Sequence, residues 1–103
     1  MIVEYIRYKL PAGAGATFES DYARAAQSLA ASPYCHGYEL SRCSEEPDVY
    51  VLRIRWSSAE DHMQGFRRSP EFGPFLAAIR SYVPQIEEMR HYELTAVVGG
   101  KTD

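Results

Sequence analysis

The chain predicts an α+β fold of the ferredoxin-like split βαβ type, with a four-stranded antiparallel sheet and its helices on one face. Two observations carry this expectation. Four runs that favour β-structure alternate with segments of helical spacing, in the order β-α-β-β-α-(α)-β. The length of 103 residues, 46% hydrophobic and 24% charged, makes one compact domain with no room for a second core. Residues 1–98 are expected to form that domain and 99–103 a polar tail.

Residues Ile2 to Leu10 are rich in β-branched and aromatic types, with Ile2, Ile6, Tyr8 and Leu10 on one parity and Val3, Tyr5, Arg7 and Lys9 on the other. This predicts a strand with two useful faces. The Pro11 to Gly15 break follows. From Thr17, Phe18, Tyr22, Ala25 and Leu29 recur at i, i+4, i+7 and i+11, an amphipathic helix ended by Ser32-Pro33. A hairpin comes next: Tyr34 to Cys43, a turn at Glu45-Glu46-Pro47-Asp48, then Tyr50, Leu52, Ile54 and Trp56 on one parity. Ser57-x-x-Glu60 and Ser58-x-x-Asp61 have capping-box form and predict a short helix to Arg68, with Ala59, His62, Met63 and Phe66 along one side. A further helical segment carries Phe72, Phe75, Leu76, Ile79 and Val83, with Pro74 in its first turn and Pro84 closing it. Glu87 to Val98 reads as the last strand.

Composition excludes several functions. A net charge of −3 gives no basic footprint for nucleic acid or an anionic membrane. No stretch approaches the roughly 20 apolar residues that span a bilayer, and Met1 leads directly into Ile2-Val3-Glu4-Tyr5, which points to the cytoplasm. Cys35 and Cys43 fall on one predicted strand, where about 3.3 Å per residue holds them too far apart to bridge, as suits a reducing compartment. There is no phosphate loop, nucleophile elbow, Cys-x-x-Cys or His-Glu-x-x-His. His36, His62 and His91 lie on different elements without ligand spacing, so no metal site is expected.

Trp56, the sole tryptophan, ends the third strand on the face turned to the helices. It either packs the core or walls a cleft, lying against an aromatic substrate and donating its N–H to it. Tyr38, Leu52, Ile54, Phe66, Phe75 and His91 are the expected companions of that cleft. His62 projects on the side of Phe66, and a neutral imidazole, with an ordinary pKa near about 6.5, can accept a substrate proton. A histidine satisfied by backbone is the alternative. Arg53 and Arg55, with Glu39 opposite, suggest ion pairs at a subunit contact rather than substrate binding. Eight tyrosines suit a semi-polar interface between two such sheets.

The stretch from Tyr50 through Trp56-Ser-Ser-Ala-Glu60-Asp-His62, followed by Phe66-Arg-Arg-Ser-Pro-Glu-Phe72-Gly-Pro-Phe75, resembles the antibiotic biosynthesis monooxygenase family, and element order extends the resemblance from Ile2 to Val97. The resemblance implies a homodimer whose sheets form a dimeric α+β barrel, with a pocket in each subunit between sheet and helices. It also implies oxidation of a small phenolic or quinol substrate, with molecular oxygen as co-substrate and no metal, flavin or haem. Trp56 matches the family's strand-end tryptophan, and His62 stands where the quinone-forming type has a tyrosine. Those two are the expected catalytic residues. The haem-degrading branch requires an Asn on the first strand, a Trp in the second helix and a His in the third. Here the first strand has no Asn, and Gly65 and Phe75 hold the other two positions. The rivals are a non-catalytic barrel that binds a small ligand and an isomerase or lyase on the same scaffold.

Overall fold

A computed structural model describes residues 1–101; Thr102 and Asp103, the end of the expected tail, lie outside the described residues. The strands are β1 (Ile2–Lys9), β2 (Cys35–Arg42), β3 (Val49–Trp56) and β4 (Ile86–Glu93), and the α-helices are α1 (Gly15–Ala31) and α2 (Phe72–Ile79). They form the ferredoxin-like α+β fold, one antiparallel sheet in the order β2-β3-β1-β4. β1 is therefore central, and its Glu4 pairs with Ile54 on one side and His91 on the other.

Alternation along β1 and β3 places Ile6, Tyr8, Tyr50, Leu52, Ile54 and Trp56 under the helices. The apolar stripe of α1, Phe18, Tyr22, Ala25 and Leu29, packs on them, joined by Phe66, Phe75 and Ile79. The helix begins at Gly15, two residues before Thr17, after Gly13 turns the chain at φ 84°. No side chain caps that end. Among the described residues, no helix is long and apolar enough to cross a membrane. Both cysteines are free.

Three expectations about element boundaries change. The segment after Trp56 is not one α-helix but a π-helical turn, Asp61–Gly65, running into a 3-10 turn, Phe66–Arg68. Ser58 does cap it, its Oγ accepting the Asp61 N–H at 3.0 Å. The interruption falls at Gly65, which lies against the Tyr34 ring so closely that an added Cβ would sit 2.8 Å from it, and Ser69-Pro70 leaves no length for a regular helix. Next, α2 stops at Ile79 and tightens into a 3-10 run, Arg80–Gln85, because Pro84 has no N–H and disfavours α geometry at Val83. Finally, β4 ends at Glu93 instead of Val98. Ile2 pairs with Glu93, Leu94 N–H reaches Met1 O at 3.0 Å, and no residues of β1 remain to pair with the chain beyond.

Candidate active site

A cavity of about 190 Å³ lies between the sheet and the α2 side of the helical layer. Its wall is largely apolar: Ile6, Ile54, Phe66, Phe75, Leu76 and Ile79 contribute to it. Tyr8 and Tyr22 also line it, and their hydroxyls hydrogen-bond to one another. Burial raises both phenols, Tyr8 to about 12, so they are neutral donors and acceptors rather than bases.

The polar end of the cavity is built on Trp56. As the last residue of β3 it points under the helices, and the π turn lays the His62 imidazole on its indole, with centroids 4.8 Å apart and planes 11° from parallel. The Trp56 N–H donates to Glu4 Oε1 at 3.1 Å. The expectation that this N–H serves a substrate is therefore corrected: the donor is committed to a buried carboxyl, and one indole face is already covered by His62. Glu4 is 2% exposed and His62 4%. His62 Nδ1 lies 2.8 Å from His91 Nε2, while Glu4 Oε1 is 3.5 Å from His62 Nε2 and Glu4 Oε2 is 3.7 Å from His91 Nε2. The His91 side chain is 34% exposed and links this buried cluster to solvent.

Burial opposes charge on both inner groups. It pushes His62 down to about 4, assisted by repulsion from His91 and Arg67. It raises Glu4, against the Trp56 hydrogen bond and the attraction of His91 and Arg67. The imidazole is thus neutral throughout the range around pH 7, well below which an ordinary histidine would already be protonated. When His62 donates Nδ1–H to His91, its Nε2 lone pair is left as an acceptor. Arg67 supplies a positive charge to the cavity wall.

Of the residues expected from the sequence, Trp56, His62, Ile54, Phe66 and Phe75 meet at this cavity, and His91 joins it through His62. Tyr38 and Leu52 do not. They border a separate cleft between α1 and the β2 edge, with Glu19, Leu40 and Tyr50. Leu52 belongs to the core, and Tyr38 lies on β2, with β3 between it and the central strand that bears Glu4. The sequence reading missed Glu4 and Arg67. Glu4 carried a readable signal, an acidic residue on the same parity as Ile2, Ile6 and Tyr8. Arg53 and Glu39 do pair, at 2.9 Å, within one chain on the opposite sheet face.

YczJ of Bacillus subtilis, itself uncharacterised, is 27% identical over 93 residues, covering 90% of this chain and 98% of its own. The structure of SnoaB from Streptomyces nogalater, a cofactor-independent oxygenase, superposes with a TM-score of 0.69 at 26% identity over 95% of this chain and 94% of that one. A Bordetella bronchiseptica structure bearing the antibiotic biosynthesis monooxygenase name reaches 0.74 at 27% identity, over 91% and 96% of the two chains. The model of that family matches residues 1–78, a stretch that includes Glu4, Trp56 and His62, and so the chain belongs to the antibiotic biosynthesis monooxygenase family.

Proposed function

We propose that the protein is a cofactor-independent monooxygenase that oxidises a small phenol or quinol with molecular oxygen, His62 accepting the substrate's proton. The observation that supports this reading is a neutral, buried imidazole at the polar end of an otherwise apolar cavity. Such a site has what an electron-rich phenol needs. As His62 Nε2 takes the phenol's proton its Nδ1–H passes to His91, so no charge stays on the buried ring; the phenol becomes a far better electron donor, and Arg67 favours the resulting anion. That anion reduces oxygen directly. When a phenol becomes a quinone, the ring gains one oxygen atom and loses two hydrogens, and the second oxygen atom leaves as water. His91 provides the route by which the proton on His62 leaves for solvent.

Cavity size narrows the substrate class. At about 190 Å³ the space is below the roughly 300 to 1,000 Å³ of drug-sized sites and a little above the ~150 Å³ that holds benzene. One- or two-ring compounds fit, which makes them the substrates to assay. A second copy of the chain is the proposed cover for the other sheet face, where Val3, Tyr5, Val51, Arg53 and Tyr92 line an open hollow.

The test is oxygen uptake by purified protein with one- and two-ring hydroquinones and phenols. Uptake lowered about 10²- to 10⁴-fold in His62→Ala is the expected result. Binding without oxygen uptake would identify a sequestering protein, and equal turnover under anaerobic conditions an isomerase or lyase.

A further inference from the structure

We propose that Glu4, His62 and His91 form a binding site for one divalent transition-metal ion of the zinc and cobalt class. Each of the three side chains offers a ligand atom within 4.8 Å of those of the other two. A tetrahedral ion with bonds of about 2.0 to 2.1 Å holds its ligand atoms about 3.3 Å apart. His91 Nε2 lies 2.8 Å from His62 Nδ1 and 3.7 Å from Glu4 Oε2, on either side of that value, so side-chain movement within the 4.8 Å cluster closes one atom from each residue on an ion.

The supports are those of a built site. Glu4 and His91 face each other across paired central and edge strands, which fixes their spacing. The Trp56 N–H holds Glu4 Oε1, orients the carboxyl, and leaves Oε2 turned toward His91. Stacking on Trp56 holds the His62 ring. The carboxyl is buried without a lysine or arginine partner within ion-pair distance among the described residues, and a divalent ion would supply the missing charge. The part-exposed His91 marks where the ion enters and where a water completes its shell. Two imidazoles and one carboxylate select zinc, cobalt or iron(II) over magnesium or calcium, which prefer all-oxygen sites. Arg67, an exposed residue on the same wall, opposes a cation here, and the Glu4 carboxylate offsets it.

Metal capture goes beyond the oxidation proposed above and does not depend on it. The two compete, because an ion bound through His62 removes the acceptor that oxidation requires. Chelator-treated, untagged protein titrated with Co2+ should develop visible ligand-field absorption that saturates at one ion per chain, and calorimetry with Zn2+ should give the same ratio. His91→Ala, at a part-exposed position, should lower affinity by more than about 100-fold, as should Glu4→Gln, because losing a ligand costs more than the roughly 10- to 100-fold of losing a supporting partner, while His36→Ala leaves it unchanged. Zn2+ should raise the unfolding temperature of wild type and of His36→Ala but not of His91→Ala, a readout that needs no substrate. Absence of saturable binding, or binding unaffected by His91→Ala and Glu4→Gln, overturns the site. Binding with these dependences but no quinol oxidation by the metal-free protein would leave the site standing and remove the oxygenase reading alone.

Discussion

Replacing Trp56 by Phe should harm the fold before it harms ligand binding. The substitution retains an aromatic ring but deletes the N–H that Glu4 Oε1 accepts at 3.1 Å, in a place where neither group reaches water. A buried acceptor left without its donor costs about 1 to 3 kcal/mol. Shrinking a fully buried indole to a phenyl ring adds about 1 to 2 kcal/mol for lost contacts with Phe66 and His62, bringing the expected loss to roughly 2 to 5 kcal/mol. Glu4→Leu alone strands the N–H instead, at a cost in the same range. The double variant is the informative one, because removing both polar partners leaves no orphan behind. Urea unfolding of the wild type, the two single variants and the double variant should show the double variant more stable than the sum of single losses predicts, by about 1 to 3 kcal/mol. Strict additivity within about 0.5 kcal/mol would show that the indole does not hold the carboxyl, and the account of the polar end would fail.

Gly65→Ala should destabilise by about 1 to 3 kcal/mol in urea, because its Cβ would meet the Tyr34 ring at 2.8 Å, whereas Gly73→Ala, with open space around it, should not suffer this clash. Alkaline stability should follow Tyr8: its folded pKa of about 12 lies above the unfolded value of 10.0, so the stability present below pH 10 is lost as pH rises toward 12. Between pH 9 and 11.5 the wild type should lose about 2 kcal/mol more than Tyr8→Phe; equal slopes would refute this. Leu76→Trp, projecting a larger ring into the cavity, should abolish binding of two-ring compounds in calorimetry while circular dichroism shows the fold retained. Light scattering at micromolar concentration should give the mass of a dimer, and Tyr5→Arg, which adds charge to the outer sheet face beside Arg53, should shift it toward monomer.

Parity made much of this molecule legible. Counting by twos from Tyr50 put Trp56 beneath the helices, and the same count separated His91 from Tyr92, which instead meets Tyr5 on the outer face. The i, i+4, i+7, i+11 stripe located α1. Glu4 escaped because an alternation read for its apolar members passes over one acid among them. The cluster it forms was also hidden from any search for ligand spacing, since Glu4 and His91 are neighbours only through strand pairing at opposite ends of the chain. The π turn had no sequence signature beyond Gly65, whose packing on Tyr34 is a tertiary contact. Tyr38 and Leu52 share the inner sheet face with Ile54 and Trp56, but parity does not tell which part of that face the cavity occupies, and it lies on the β1, β3 and α2 side.

The π turn makes substrate range and proton acceptance mechanically inseparable. His62 is carried by five residues in a wide π-helical turn, and that turn flows directly into the one bearing Phe66 and Arg67, two members of the cavity wall. Widening the chamber for a bulkier guest means displacing this segment, since the opposite wall is sheet held by ladders on both sides of β1. Any such displacement slides the imidazole off the indole and away from His91. Variants selected for larger guests should therefore gain affinity while losing turnover, unless a second change re-seats the His62 ring.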